Sequence, residues 1–141
     1  MVKWIFKALR SRFLGSHELR RVGRELFLGF NEQRLNVVPP YTEVNITKVR
    51  DLGTFEGDAA QWDLRFRYKA KDIQTDSAAD WMEAMQDTFK DAELLSGHFS
   101  CAGLQSNEEG APTLGNATFQ ASARFTLYAE RLVNLPVTRG V

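Results

Sequence analysis

The clearest pattern in the chain is a strict alternation of apolar and polar side chains over residues 61–70. The apolar positions are Trp62, Leu64, Phe66, Tyr68 and Ala70, and the polar ones are Gln61, Asp63, Arg65, Arg67 and Lys69. Successive side chains of a strand point to opposite faces of its sheet, so a period of two is typical of a strand with one buried face. A second alternating run covers residues 118–127. The pattern predicts two long strands, each with an apolar and a polar face.

Other segments complete the set of predicted elements. Residues 1–15 place apolar side chains at helical spacing with cations on another side, which predicts a short basic amphipathic helix. Ser16 is a suitable N-cap for a first main helix over 16–32, and Asp76 or Ser77 for a second one with a heavy apolar face. The remaining predictions are strands at 41–49, 99–104 and 116–131, polar loops at 50–60 and 106–115, and an extended tail at 133–141.

Together these elements predict one α+β domain. The order helix, strand, strand, helix, strand, strand gives a four-stranded antiparallel or mixed sheet with two helices packed on one face. In the first strand, Val44 and Ile46 fall on the buried face and Glu43 on the polar face. The predicted organisation is a basic N-terminal arm at 1–15, a single domain at 16–132 and the C-terminal tail. A chain of 141 residues fits one domain.

The N-terminal arm has three interpretations: it docks on its own domain, binds a partner, or lies on an anionic membrane surface. Trp4, Phe6 and Phe13 give it more apolar bulk than a disordered arm needs. Docking or a partner is therefore favoured, and a membrane role is disfavoured. No uncharged apolar run approaches the roughly 18 residues that a membrane span requires.

Charge is balanced overall but uneven along the chain. Eighteen Lys and Arg residues cancel eighteen Asp and Glu residues, which argues against a strongly basic nucleic-acid binder. Residues 1–24 hold seven cations against Glu18, whereas residues 72–109 hold nine acids against Lys90. This division suits a protein that meets copies of itself or differently charged partners on opposite sides, although two solvated faces would give the same counts.

The sequence contains no recognisable catalytic motif. His17 and His98 are the only histidines, and no nucleophile and orienting group are spaced to form a triad with either. Neither a G-x-x-x-x-G-K-[ST] nor a G-x-G-x-x-G phosphate loop occurs. The single cysteine, Cys101, allows no internal disulfide, and in a predicted strand its ordinary role is core packing. We therefore expect a non-enzymatic protein without a cofactor or a metal.

The polar face of the predicted sheet carries candidates for binding. Arg65, Arg67, Lys69 and Arg124 project from it. Cations on a flat strand face can bind phosphates, but the aromatic side chains that would stack bases alternate onto the other face. A protein contact is therefore favoured over a nucleic-acid platform. Acids in residues 76–93 of a neighbouring copy would complement these cations.

One short segment and the order of elements carry a family resemblance. The sequence DSAADWME at residues 76–83 looks like the acidic Trp-Met opening of the second helix in the lambda-like tail terminator proteins of long-tailed bacteriophages. Over residues 16–131 the order is also similar: an opening helix, a hairpin ending in a long alternating strand, a helix and a closing hairpin. The chain departs from that pattern in residues 1–15, in the connection through Pro39-Pro40 and in its extension past the last strand.

The resemblance implies a structural protein of the virion. The implied assembly is a ring, usually a hexamer, that sits on the head-proximal end of the tail tube, ends tube polymerisation and offers a surface to the head connector. Implied partners are copies of the chain, the tail tube protein and a connector or portal-associated protein, in a tail or neck assembled in the host cytoplasm. The alternatives are a head-to-tail joining protein of the neck, a small nucleic-acid-binding module and a small enzyme.

The charge pattern and the resemblance together select candidate interface residues. They are Trp4, Lys7, Arg20, Arg24, Arg65, Arg67, Lys69, Asp80, Glu83, Asp87 and Arg124. The basic arm and first helix are expected to face one partner and the acidic second helix another. The loops at 50–60 and 106–115 are candidate contacts with the tube or its lumen.

Overall fold

A computed structural model of the chain describes residues 1–30, 37–52, 59–70, 75–101, 103–109 and 121–132. Within these residues the chain forms three helices and six strands. The helices are α1 (Val2–Leu14), α2 (His17–Val22) and α3 (Thr75–Phe89). The strands are β1 (Leu26–Leu28), β2 (Tyr41–Asp51), β3 (Ala59–Lys69), β4 (Phe99–Cys101), β5 (Gln105–Glu109) and β6 (Ala121–Arg131). The fold is α+β, as the sequence predicts.

The strands form one mixed sheet in the order β1-β2-β3-β6-β4, with β5 also paired to β6. The pairs β2–β3 and β3–β6 are antiparallel, and β1 runs parallel to β2. β4 pairs with residues 129–131 of β6, and β5 pairs with residues 123–126. Because β3 occupies the other edge of β6, β4 and β5 follow each other along one edge as an interrupted strand.

One face of the sheet packs against the helices and forms the core. Trp62, Leu64, Phe66 and Tyr68 of β3 are buried, which confirms the alternation predicted for this strand. The helices contribute Ile5, Leu9 and Phe13 from α1, Leu19 from α2, and Ala78, Trp81, Met85 and Phe89 from α3. The predicted apolar face of the second main helix is therefore confirmed. In this core the Nε1 of Trp81 donates a hydrogen bond of 3.0 Å to the Oγ1 of Thr42, so the indole N–H is satisfied.

The predicted amphipathic helix near the N-terminus is present as α1 and docks on its own domain. Ile5, Leu9 and Phe13 are fully buried, and their spacing of four residues places them on one side of the helix. Lys3 and Lys7 remain exposed on the other side. The apolar side chains on this side of α1 therefore pack against the domain itself.

The first main helix is much shorter than the predicted span of 16–32. Ser16 caps it as expected, because its Oγ accepts a hydrogen bond of 3.3 Å from the backbone N–H of Leu19. The helix ends at Val22 because Arg24 adopts a positive φ of 61°, which a right-handed helix does not accommodate. Residues 26–28 then form β1 beside β2. The prediction of a helix through residue 32 is wrong over residues 23–30, where the apolar spacing fits a strand as well, and residues 31–32 lie outside the described residues.

The sheet also has more strands than the four predicted. β1 comes from the predicted helix, and β5 (Gln105–Glu109) lies mostly within the predicted loop at 106–115. The predicted strand at 99–104 breaks after Cys101, since the backbone of Leu104 instead exchanges hydrogen bonds of 2.8 Å with Asp91 and Ala92. Gly103 permits this approach, because a Cβ there would lie 2.8 Å from the carbonyl oxygen of Asp91.

Several predicted boundaries differ by a few residues or lie outside the described part. Helix α3 begins at Thr75, so Asp76 and Ser77 fall in its first turn rather than at its cap. The ends of the predicted loop at 50–60 belong to β2 and β3. The loop residues 53–58 and 110–115, the predicted strand residues 116–120 and the tail at 133–141 lie outside the described residues.

Candidate functional site

The face of the sheet turned away from the core, called the outer face here, carries the predicted cations. Arg67 in β3 lies opposite Glu43 in β2, and its Nε is 3.1 Å from the Oε1 of Glu43. The side chain of Glu43 is fully buried and that of Arg67 is 17% exposed. Glu43 therefore lies on the polar face as predicted, but its side chain is buried there. The ion pair with Arg67 offsets part of the cost of burying this carboxylate.

A second acid on the outer face binds two arginines. Arg124 donates from Nε and Nη2 to the two carboxylate oxygens of Asp63, at 2.8 and 3.2 Å. The Nε of Arg65 lies 3.7 Å from Oδ2 of the same carboxylate. The side chains of Arg65 and Arg124 are 53% and 42% exposed, so both reach the surface. The outer face is therefore less positive than its cations alone suggest.

A cavity of about 230 Å³ lies on the outer face. Its lining consists of Phe30, Arg65, Phe66, Arg67, Ser122, Ala123 and Arg124. The guanidinium of Arg67 lies 3.8 Å from the centre of the Phe30 ring, so one face of that ring is already covered. Since base stacking needs an open aromatic face, this geometry suits a protein contact better than a nucleic acid.

A second surface, called the acidic groove here, lies between α2 and α3. Its lining consists of Ser16, His17, Glu18, Asp80, Glu83, Ala84, Asp87 and Thr88, around a volume of about 430 Å³. Arg21 forms ion pairs with Glu18 at 2.8 Å and with Asp80 at 3.6 Å. The hydrogen bond from Arg21 lowers the pKa of the Glu18 carboxyl. Glu83 and Asp87 are exposed, and the described residues offer neither of them an ion pair.

A third surface, called the N-terminal cleft here, lies where the start of α1 meets the sheet. Its lining consists of Met1, Trp4, Lys48, Asp51, Ala60, Trp62, Gly97, His98, Arg131 and Leu132, around a volume of about 720 Å³. The rings of Trp4 and His98 stack with centres 3.5 Å apart. The ammonium groups of Lys3 and Lys7 each lie 4.9 Å from the centre of the Trp4 ring. Lys48 pairs with Asp51 at 2.6 Å.

Sequence reasoning identified only part of this cleft. It selected Trp4 and Lys7 but missed Lys48, Trp62 and His98, because these residues are far apart in the chain and only the sheet brings them together. One signal was available: pairing the two predicted strands of the first hairpin places Lys48 beside Trp62, as the structure does.

The eleven predicted interface residues do not form one surface. The outer face holds Arg65, Arg67, Lys69 and Arg124, the acidic groove holds Asp80, Glu83 and Asp87, and Trp4 and Lys7 lie at the N-terminal cleft. Arg20 is exposed on α2, and Arg24 is exposed directly after it. The structure thus offers three separate candidate contact surfaces.

The described residues provide no group of three or more His, Cys, Asp or Glu side chains placed to hold a metal ion. Burial raises the pKa of the Cys101 thiol, and its Sγ lies 3.9 Å from the carbonyl oxygen of Leu94. A thiol held in its neutral form is a poor nucleophile. Among the same described residues, no helix has the length and apolar character to cross a membrane.

Comparison with known proteins gives a match at the level of fold. No protein-family model matches the chain, and no curated protein matches it. The fold is similar to that of a chain in a solved structure of the virion of a native gene transfer agent (GTA) particle, with a TM-score of 0.59. The two chains are 15% identical, and the match covers 86% of this chain and 87% of that one. Nearly the whole of each chain therefore shares one architecture.

Proposed function

We propose that this protein is a non-enzymatic structural component of a phage-like virion, specifically a tail terminator at the neck. The observation that carries the proposal is the fold similarity to a chain of the gene transfer agent virion, which spans 86% of this chain. The resemblance of residues 76–83 and of the element order to tail terminators supports the same assignment independently. The finer position in the tail or neck rests on that resemblance.

In this proposal, copies of the chain form a hexameric ring on the head-proximal end of the tail tube. One face of the ring binds the tube subunit and the other does not. Tube growth therefore ends, because a further tube subunit has no matching surface on which to add. The second face remains available to the head connector. The protein then resides in the virion and is assembled into it in the host cytoplasm.

The outer face of the sheet is the proposed contact with a neck or tail partner. Arg65 and Arg124 reach the surface there, while Asp63 fixes their positions through ion pairs. Arginines held in place in this way lose less side-chain entropy on binding, and Arg is enriched at protein interfaces. Arg67 plays a different part, because its pairing with buried Glu43 makes it a structural residue as well.

The proposal is tested by deleting the gene and imaging the particles that form. A tail terminator is expected to leave headless tails of abnormal length, because nothing ends tube growth. Complementation with Arg65→Glu should restore less assembly than Arg65→Lys, which keeps the charge at an exposed site. Particles of normal length and infectivity after deletion would contradict the proposal.

The joining-protein alternative predicts a different image from the same deletion. Loss of a head-to-tail joining protein leaves tails of normal length beside filled heads that do not attach. The length distribution of the tails therefore separates the two functions. Labelled protein located at the tail end nearest the head is expected in both cases, and its absence from particles would exclude both.

A further inference from the structure

The N-terminal cleft has the composition of a binding site for carboxylates. Lys3 and Lys7 lie beside it on α1, and the described residues offer no ion pair to either ammonium group. Lys48 lines the cleft but is paired with Asp51 at 2.6 Å. The positive charge that a partner meets at this cleft is therefore that of Lys3 and Lys7.

A buried donor in the cleft also lacks a partner. Trp62 lines the cleft and is only 6% exposed, and its Nε1 has no hydrogen-bond partner among the described residues. An unsatisfied buried N–H costs about 1–3 kcal/mol. This N–H is itself inaccessible, so the preference of the cleft for an acid rests on Lys3 and Lys7.

The aromatic rings of the cleft favour a protein over a nucleic acid. Trp4 already stacks on His98 at 3.5 Å, and two lysine ammonium groups lie 4.9 Å from its ring centre. Trp62 is too deeply buried to offer an open face. Because stacking needs an open ring, these aromatics hold cations in position rather than receive bases.

The complementary acids are present on this chain itself. Glu83 and Asp87 lie one helical turn apart on α3, so their carboxylates project from the same side of the helix. Both are exposed, and both line the acidic groove. Their charges are not offset by an ion pair among the described residues.

The two surfaces are placed for contact between copies. Trp4, near the start of α1, lines the cleft, and Ser16, just after its end, lines the groove. Twelve steps along the chain separate these positions, which correspond to about 18 Å along a helix. Two different complementary surfaces at opposite ends of an element give a head-to-tail contact, which repeats into a ring when the rotation closes.

From these observations we infer that the N-terminal cleft of one copy binds the acidic groove of a second copy, with Glu83 and Asp87 facing the lysines at the cleft. The inference rests on the proposed function as a ring-forming protein and specifies which surfaces meet. It assigns the ring contact to the N-terminal cleft and the acidic groove and leaves the outer face of the sheet for a different partner.

The inference is tested by charge reversal in the full chain, with mass measured by sedimentation equilibrium over a range of concentrations. Lys7→Glu and Glu83→Lys should each weaken self-association at least about tenfold, because each places like charges across the contact. The double variant, in which the charges are exchanged, should recover most of the loss. Glu93→Lys is the matched control, since Glu93 is exposed but lies outside the groove lining.

Three outcomes would overturn the inference. Wild-type protein that stays at 16.0 kDa at millimolar concentration forms no such contact. Single variants that associate as tightly as wild type, with unchanged circular dichroism, place the contact elsewhere. Single-stranded DNA binding that Lys7→Glu abolishes would assign the cleft to nucleic acid. In each case the proposed virion role is judged separately by the particle images after gene deletion, so the two failures are distinguishable.

Discussion

At the scale of single residues, the arginines of the outer face have different energetic roles. Arg67 contacts a carboxylate that is fully buried, whereas Arg65 is itself 53% exposed and contacts, across 3.7 Å, an Asp63 carboxylate that also pairs with Arg124. Removing one partner of a buried ion pair leaves a charge in a medium that solvates it poorly. Removing a partner from an exposed pair allows water to replace it.

We therefore expect Arg67→Ala to lower the free energy of unfolding by about 3 kcal/mol. Arg65→Ala, two residues away on the same strand, should lower it by less than about 1 kcal/mol. Urea denaturation followed by tryptophan fluorescence measures both. Equal losses in the two variants would show that Glu43 does not depend on Arg67.

The thiol of Cys101 provides a second prediction at this scale. Burial raises the pKa of this thiol, so little of the reactive thiolate exists at neutral pH. We expect it to react several times more slowly with an aromatic disulfide reagent than the thiol of a Ser100→Cys, Cys101→Ser variant, whose new cysteine is at an exposed position. The rate for Cys101 should increase as the pH rises toward its pKa. Equal reaction rates for Cys101 and for the new cysteine at position 100 at pH 7 would show that burial does not suppress the reactivity of Cys101.

At the scale of elements, α1 is held to the sheet by one apolar side. Leu9 is fully buried at the middle of that side, and Lys7 is exposed on the other. Leu9→Ala is expected to lower the free energy of unfolding by about 2–5 kcal/mol, through lost burial and the remaining cavity. Lys7→Ala should change it by less than about 0.5 kcal/mol. If Leu9→Ala leaves the free energy of unfolding in urea unchanged, α1 contributes little to the stability of the fold.

The break between β4 and β5 depends on a close backbone approach. A Cβ at position 103 would lie 2.8 Å from the carbonyl oxygen of Asp91, whereas one at position 97 would meet nothing within 4 Å. Gly103→Ala is therefore expected to lower the free energy of unfolding by about 1–3 kcal/mol, as overpacking does. Gly97→Ala is the control and should be neutral or slightly stabilising. The midpoint of thermal unfolding is measured for both variants. Similar shifts for Gly103→Ala and Gly97→Ala would contradict the close approach of residue 103 to the backbone of Asp91.

At the scale of the whole molecule, charge is arranged as separate surfaces. On the outer face, Glu43 and Asp63 pair with three arginines and offset two of the four positive charges, and the formal net charge of the chain is zero. Phosphate-driven binding needs several uncompensated cations and weakens steeply with salt. The outer face therefore has the character of a protein contact.

We expect no nucleic-acid binding by the outer face even in dilute buffer. Fluorescence anisotropy with labelled single-stranded and duplex DNA measures this, and Arg65→Glu is the matched variant. Binding at low salt that falls with salt and is lost in Arg65→Glu would contradict the expectation. Self-association through the N-terminal cleft and the acidic groove should also weaken with salt, so both measurements are made in the same buffers.

The sequence predicted those elements whose pattern has a single interpretation. The alternation in β3 defined its buried face because a side-chain period of two fits a strand and not a helix. The apolar residues of α1 and α3 recur every three to four positions, a period that fits a helix and not a strand, and this spacing defined the buried sides of both helices. In contrast, the few apolar residues after Val22 fit either structure, and the conformation of Arg24 together with pairing to β2 decided for a strand.

The candidate surfaces divide in the same way. Sequence alone determined the α+β class, the exposed acids of α3 and the cationic side of α1, since each follows from a local period or composition. Tertiary structure decided that Glu43 is buried, that Asp63 binds two arginines and that Lys48, Trp62 and His98 meet at one cleft. These features depend on strand register, and register brings together residues that local sequence patterns treat separately.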